Sequence, residues 1–263
     1  MIHLDRYLSV LKITFKEAST YRLAAGMIVG SSLATLILYH AIWSSIAAAG
    51  TLNSSLSEVM TYLVMGQVVS TSAFLQTEIY IGELVEKGTV VNLLKRPVSF
   101  IGHTYMHEIG WVFFDSLTKA APIAVIGGLA FSIGFPGPLR TGLFLVSLFF
   151  SFNLSFLMAY TTATLVFWTK SDAGIRMMRN IFISLFSGVL FPLYLLPEGL
   201  KEIFYSLPFA VMADGPIRIF MGRTSIEGAF RILGQQVIWM AVLAPFMLLM
   251  WRKAKTKITV QGG

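Results

Sequence analysis

The sequence predicts an all-α membrane protein that crosses the bilayer six times. Only 13% of its 263 residues are charged and 56% are hydrophobic, whereas soluble domains carry about 25% charged residues. About six hydrophobic runs also reach the roughly 20 residues that a helix needs to span the hydrocarbon core. These runs cover residues 23–47, 56–78, 104–131, 139–169, 178–196 and 231–251. We therefore predict a single transmembrane domain over residues 1–263.

The first twenty residues predict an amphipathic helix at the inner membrane surface. Leu4, Leu8, Leu11 and Phe15 recur at helical spacing among charged residues, which is typical of a helix that lies in the interface plane. The continuous apolar segment of a secretory signal is missing from this stretch. We therefore predict an interfacial helix over residues 1–20.

The basic residues fall mainly on one side of the predicted spans. With the N-terminus in the cytoplasm, the cytoplasmic ones are Arg6, Lys12, Lys16, Arg22, Lys87, Lys95, Arg96, Lys170, Arg176, Arg179, Arg252, Lys253, Lys255 and Lys257. The outer ones are Arg140, Lys201, Arg218, Arg223 and Arg231, while Lys119 lies within a span. Cytoplasmic loops are enriched in lysine and arginine, so both termini are predicted to be cytoplasmic.

Composition also excludes several kinds of chemistry. The chain has no cysteine, which excludes disulfides, thiolate catalysis and metal sites built on cysteine. A P-loop would need the string GxxxxGK followed by serine or threonine, and no such string occurs. If ATP drives this protein, another chain must bind it. The net charge of +7 is explained by membrane topology, so we predict no nucleic-acid partner.

A charged segment between the second and third predicted spans is a candidate docking element. It has an acidic start, an apolar centre and a basic end before a proline. These residues are Glu78, Glu83, Glu86, Val90, Val91, Leu93, Leu94, Lys95, Arg96 and Pro97. A short helix of this kind can place apolar side chains in a partner's groove while its charges set the orientation. The alternative is a solvated turn with ordinary cytoplasmic positive charge.

Prolines break the region after the fifth predicted span into pieces too short to cross a bilayer. They are Pro192, Pro197, Pro208 and Pro216, and the residues between them are largely apolar. Backbone without regular structure at membrane depth needs partners within the protein or in water. We therefore predict a packed helix–turn–helix that re-enters the outer leaflet over residues 196–230.

The charged segment resembles the corresponding loop of type-2 ABC transporter permeases. The resemblance rests on the acidic start, on Ile81-Gly82 and on the run from Leu93 to Pro97. The proline-broken region is similar to that family's fifth span and extracellular re-entrant helices. Its matching residues are Gly188, Phe191-Pro192, Leu196-Pro197, Leu207-Pro208-Phe209, Pro216 and Phe220 to Gly222. The resemblance covers essentially the whole chain, and the order of elements is more specific than any one motif.

This resemblance implies a permease subunit of an ATP-driven exporter in a prokaryotic cell membrane. The chain would form a dimer with a second copy or a paralogous permease, and each permease would carry a separate ATP-binding subunit. ATP and magnesium would bind there, and this chain would hold no cofactor and catalyse no reaction. Residues 79–102 would be the coupling segment. Its ATPase-coupling residues would be Glu83, Glu86, Lys87, Asn92, Leu94, Lys95 and Arg96.

Polar residues within the predicted spans are candidates for a role in transport. Glu108, Asp115 and Lys119 form one stripe on the third span, and charges at membrane depth usually face a protein interior or a wet cavity. They either move during transport or form a neutralised structural contact. A substrate path is the other candidate, although the same residue types also pack helices together. Its predicted residues are Gln67, Ser70, Thr71, Phe182, Phe186 and Phe191.

Two other classes of protein stay open. A membrane-embedded metalloenzyme would need metal at His103, His107 and Glu108, but these form HxxxHE rather than the HExxH of zinc proteases, so we predict no metal site. An ion-coupled carrier would titrate Glu108 and Asp115, yet such carriers often show internal repeats, and none is found here. The residues do not distinguish among a drug, a peptide antibiotic, a lipid and a glycolipid as the substrate.

Overall fold

The structure is a computed structural model that describes residues 2–50, 52 and 54–257, with side chains from Asp5 onward. Within these residues the chain folds into helices and turns without a β-strand, which confirms the predicted all-α class. The helices are α1 (Ile2–Ser19), α2 (Arg22–Ala48), α3 (Leu56–Ala73), α4 (Thr77–Glu86), α5 (Val90–Leu94), α6 (Phe100–Asp115), α7 (Ala121–Phe131), α8 (Pro138–Ala163), α9 (Val166–Thr169), α10 (Ala173–Phe186), α11 (Glu198–Ser206), α12 (Pro208–Phe220) and α13 (Ile226–Lys255).

Four helical stretches within the described residues are long and apolar enough to cross a membrane by themselves. They are Arg22–Ala48, Phe100–Phe131, Pro138–Thr169 and Ile226–Lys255. Helices α11 and α12 meet at an angle of 105° and together satisfy the same test. The second and fifth predicted spans correspond to α3 and α10, which have 18 and 14 residues. The six-span count therefore stays a prediction.

Helix α1 covers most of the predicted interfacial helix, whose place at the membrane surface stays a prediction, and it packs along α6. Thr14 and Ala18 are buried on this side, and a side chain added at Gly110 of α6 would come within 2.9 Å of Thr14 Cβ. Leu8 on another side is 43% exposed. The side chain of Leu4, which the amphipathic pattern included, lies outside the described residues.

Helix α8 lies at the centre of the bundle. It contacts α3, α4, α10, α12 and α13, and half of its most apolar window is buried, compared with 11% for α2. One apolar cluster joins Tyr62, Phe144 and Ile217, and another joins Ile81, Phe100 and Trp251. Because α2 is mostly exposed, it faces lipid or another subunit in any membrane-embedded form.

The third predicted span contains one turn of π-helix, Ser116–Ala120, between α6 and α7. Such turns widen an α-helix locally and occur often at functional sites. Close packing follows about two helical turns later, because a side chain on Gly127 would come within 2.7 Å of Val64 Cγ1 in α3. The span is therefore fixed against α3 on one side of this turn.

Candidate functional site

The predicted coupling segment forms two short helices, α4 and α5, that are joined through Gly88. Gly88 has φ of +66°, a conformation that glycine adopts without the steric cost of a side chain. All seven predicted ATPase-coupling residues are exposed. Val90 and Leu93, which the sequence also offered as partner contacts, are buried in their own subunit. Leu94, 37% exposed, is therefore the apolar coupling residue that a partner could reach.

The exposed face of α4 carries an ion pair. Lys87 Nζ lies 2.7 Å from Glu83 Oε2, and the two side chains are 63% and 58% exposed. The hydrogen bond to Glu83 raises the pKa of Lys87. Exposed pairs of this kind contribute little to stability, so these charges remain available to a partner.

The opposite face of α4 carries a buried ion pair that the sequence did not reveal. Arg179 of α10 donates from Nε to Glu78 Oε1 at 2.5 Å and from Nη2 to Glu78 Oε2 at 3.0 Å. A further hydrogen bond joins Arg179 to the backbone oxygen of Leu75 at 2.5 Å, and Thr162 of α8 donates to Glu78 at 2.6 Å. The Glu78 and Arg179 side chains are 0% and 3% exposed. Helix α4 is thereby joined to α8 and α10.

The predicted intramembrane polar residues share a cavity with part of the predicted coupling segment. Thr71, Glu83, Glu108, Asp115 and Lys119 all line this space of about 270 Å³. Its walls come from the end of α1, the end of α3, α4, α6 and the π-turn. We refer to it as the inner cavity. Of the predicted path residues, Thr71 is the one that lines it.

Asp115 and Lys119 form the i,i+4 pair that their spacing suggested. Their charged atoms are 2.8 Å apart, and the side chains are 20% and 16% exposed. Lys119 belongs to the π-turn, whereas Asp115 ends α6. The pair therefore bridges the irregular turn of the span and faces the inner cavity.

Five of the six predicted path residues lie on α3 and α10, which both contact α12, and Phe191 lies in the turn after α10. On α3, Ser70 and Thr71 donate hydrogen bonds to the backbone oxygens of Gln67 and Val68, so their hydroxyls are satisfied within their own helix. On α10, Phe182 and Phe186 join a group of rings with Phe204 and Phe209 from the re-entrant region. The ring centroids in this group are 5.1 to 6.4 Å apart. Phe191 forms no ring contact within the described residues.

The four predicted breaks lie at or near helix boundaries, with one exception. Pro192 precedes a short 3₁₀ turn, Pro197 precedes α11 and Pro208 is the first residue of α12, whereas Pro216 is buried inside α12. Proline fits the first turn of a helix because no intrahelical partner is needed there. The sharp bend between α11 and α12 agrees with the predicted helix–turn–helix.

Two buried polar groups fix α12 to the rest of the bundle, and sequence reasoning found neither. Asp214 accepts a hydrogen bond from the Tyr62 hydroxyl of α3 at 2.8 Å and lies 2.6 Å from Arg218 Nε. Gln236 of α13 donates to the backbone oxygen of Val211 at 2.8 Å. It also accepts a hydrogen bond from Ser147 of α8. The one available sequence signal was the polar type of these residues within apolar runs.

The two histidines of the HxxxHE pattern pack against an aromatic ring. Tyr80 of α4 stacks on His107 with a centroid distance of 3.8 Å, and its hydroxyl lies 3.1 Å from His103 Nδ1. Among the described residues, no group of three or more histidine, aspartate or glutamate side chains is arranged to hold a metal ion. The arrangement is a packed contact between α4 and α6.

Comparison with known proteins identifies the family. None of the curated proteins matches this chain. A family profile described as ABC-2 family transporter protein matches residues 29–262, which include α11, α12 and the predicted coupling segment. The chain therefore belongs to the ABC-2 family of transporter proteins and is a membrane-embedded transport subunit of an ABC transporter.

Proposed function

We propose that this chain is the permease of an ATP-driven exporter and that α4 and α5 receive the motion of a separate ATP-binding subunit. The observation that carries the proposal is the two-sided character of α4. Its exposed face presents charged residues to the surroundings, and its buried face is joined to α10 and α8 through Glu78 and Arg179. A helix of this kind can be pushed without being separated from its own subunit.

The energetics favour movement of α4 together with α10. Separating a buried carboxylate from its cationic partner costs several kcal/mol, because each charge would lose its compensation in a medium of low polarity. A force on α4 would therefore displace α10 before it breaks the Glu78–Arg179 contact. Phe186 of α10 lies against Phe204 and Phe209, so the displacement would reach the re-entrant helices.

A second permease would cover the exposed face of α10. This face presents Met177, Ile181 and Leu185, and it borders a groove that also contains Arg176 and Asn180. The Asn180 Oδ1 atom is buried without a hydrogen-bond partner in the described residues. Polar groups at membrane depth require partners, which lipid tails cannot supply. A second copy or a paralogous permease would supply them.

The substrate would be an amphipathic or hydrophobic molecule such as a drug, a peptide antibiotic, a lipid or a glycolipid. The predicted path residues on α3 and α10 lie on helices that both contact α12, and α12 is tied to α3 through the Tyr62–Asp214 hydrogen bond. Motion of α12 would alternate access between the cytoplasm and the outside. Transport would run outward.

Affinity purification of the tagged protein from native membranes in a mild detergent tests this function. We expect a P-loop ATPase to co-purify in stoichiometric amount, and a second permease would identify a heterodimer. Reproducible absence of an ATPase, with the permease intact and folded, would overturn the proposal.

A second candidate, an ion-coupled carrier, is supported by the two carboxylates, Glu108 and Asp115, that line one cavity. Transport assays in vesicles separate the two functions. Dissipation of the ion gradient should stop a carrier, whereas depletion of ATP at a maintained gradient should stop the exporter.

A further inference from the structure

The inner cavity contains more acidic than basic side chains. Four carboxylates line it, from Glu17, Glu83, Glu108 and Asp115, together with the ammonium group of Lys119. Lys119 pairs with Asp115, and Glu83 pairs with Lys87. Neither of the other two carboxylates forms an ion pair within the part of the chain that the structure describes. The lining therefore contains more carboxylates than its own ammonium group balances.

The two unpaired carboxylates lie at different depths. Glu17, at the end of α1, is exposed. Glu108 on α6 is 3% exposed, and its neighbours are the Thr77 hydroxyl and the backbone of Gln76. The Arg179 cation acts on Glu108 from within the subunit, but the cost of removing this carboxylate from water is the larger effect. A cation that enters the cavity would offset that cost.

Aromatic rings surround the same space. Tyr21, Tyr80 and Trp111 line the cavity together with Phe74. The Tyr21 and Trp111 rings are 6.0 Å apart at 45° to each other, so they form an angled wall beside Glu17. Aromatic faces attract cations, and the attraction grows when the cation loses water. Their flat surfaces also contact the apolar part of an organic molecule.

The cavity has room for a small organic molecule. Its volume of about 270 Å³ is close to the lower end of the roughly 300–1,000 Å³ that small-molecule sites occupy. The exposed residues Tyr21 and Glu17 border the open side of the cavity. The buried residues Leu75 and Glu108 line its interior. A metal ion alone would leave the aromatic walls without contact.

We propose that the inner cavity binds a small organic cation that has an apolar or aromatic body, such as a quaternary ammonium compound. The carboxylates of Glu17 and Glu108 attract the charge, and the rings of Tyr21 and Trp111 contact the body. An anion of the same shape is repelled by these carboxylates. The site belongs to one subunit, so binding requires neither the ATPase nor transport.

Calorimetric titration of the purified permease in dodecyl maltoside tests the proposal directly. The probe is benzyltrimethylammonium, and its uncharged control is neopentylbenzene, in which carbon replaces the nitrogen. We expect saturable binding of the cation and binding of the control that is at least about tenfold weaker, as a loss of charge interactions of this size implies. Equal binding of the two probes would overturn the inference.

Matched variants locate the site. Glu17→Gln and Glu108→Gln should each weaken binding of the cation about tenfold. Glu202→Gln, at an exposed acidic residue of α11 outside the cavity, should leave it unchanged. Glu108→Gln changes a buried residue and could prevent folding. Glu17→Gln changes an exposed residue, so it still tests the proposal in that case. Wild-type affinity in the Glu17 and Glu108 variants that fold would contradict the assignment.

A lipid headgroup offers the same ammonium chemistry as a soluble cation. Addition of phosphatidylethanolamine to the detergent solution separates these sources. If phosphatidylethanolamine competes with benzyltrimethylammonium in the wild-type protein but not in Glu17→Gln, the lipid headgroup is an occupant of the cavity. Binding of the probe that does not change with added lipid would identify a soluble cation as the ligand class.

Discussion

The two faces of α4 carry ion pairs of opposite character. Glu78 and Arg179 are 101 residues apart in the chain, and their side chains are 0% and 3% exposed. Glu83 and Lys87 are four residues apart, and their side chains are 58% and 63% exposed. Both pairs have short distances, at 2.5 and 2.7 Å. Distance alone therefore does not separate an ion pair that positions a helix from one that a partner can exchange.

The degree of burial distinguishes the two ion pairs. A buried pair must offset the loss of water with several hydrogen bonds, and Glu78 and Arg179 do so with each other, with Thr162 and with the Leu75 backbone. An exposed pair keeps its water and contributes little. The same helix thus has one face that fixes its place and another that costs little to rearrange.

Removal of the buried cation should give the largest effect. Arg179→Met leaves Glu78 buried without a counter-charge, and we expect a loss of about 3–5 kcal/mol in the free energy of unfolding. Unfolding in mixed micelles of dodecyl maltoside and sodium dodecyl sulfate measures this loss.

The double variant Glu78→Met, Arg179→Met is the control, because it removes both charges together. It should be more stable than Arg179→Met alone, since no isolated charge remains buried. A double variant that is less stable than the single one would mean that the hydrogen bonds, rather than the charge balance, hold α4 in place.

A smaller effect is expected where α4 meets the start of α10. A side chain on Gly82 would come within 2.9 Å of Asp172 Cβ, so Gly82→Leu should destabilise the subunit by about 1–3 kcal/mol through overpacking. Gly234→Leu is the matched control, because Gly234 is exposed on α13 and nothing lies within 4 Å of the added atom. Similar stability of the two variants in mixed micelles would show that α4 can move away from α10 at little cost.

The contrast between the two pairs also explains what the sequence could predict. The Asp115–Lys119 pair could be anticipated because i,i+4 residues share a helix face, and the distance of 2.8 Å agrees. The sequence by itself indicates only that Arg179 is one of the cytoplasmic charges. Its partner depends on how α4 packs against α10, which one sequence does not specify. A basic residue at the start of an apolar run was the available signal that a partner was needed.

Helix positions were easier to predict than shared sites. Long apolar runs predicted where helices form, because helix formation at membrane depth depends mainly on composition. The inner cavity combines residues from α1, α3, α4, α6 and the π-turn, and their approach depends on tertiary packing. The sequence assigned three α3 residues to a substrate path. Of these, only Thr71 lines the inner cavity. Gln67 and Ser70 lie on the same helix outside the lining.

On the exposed face, a double reversal should change association but hardly change stability. Glu83→Lys with Glu86→Lys should alter the free energy of unfolding by less than about 0.5 kcal/mol, which is typical of surface changes. If these acidic residues orient the ATPase, its recovery in affinity purification should fall about tenfold or more, since reversed charges oppose docking.

Glu202→Lys with Glu227→Lys is the matched control, because both residues are exposed and lie outside the coupling segment. This control should recover the ATPase in wild-type amounts. Equal recovery with both double variants would remove the assigned role of Glu83 and Glu86 while leaving the buried face unaffected.

The smallest effect is expected for Lys87→Met. The hydrogen bond to Glu83 raises the pKa of Lys87 above its usual 10.5, so the ammonium contributes to stability below pH 10.5 and loses that contribution as the pH rises through the raised value. Salt should weaken the contribution because the pair is exposed. The wild-type protein and Lys87→Met should therefore differ slightly in thermal unfolding temperature at pH 8. The difference should disappear at high pH or in 1 M salt, where the screening length is about 3 Å. A large difference that persists in salt would mean that α4 relies on its exposed face for position, and the distinction between the two faces would fail.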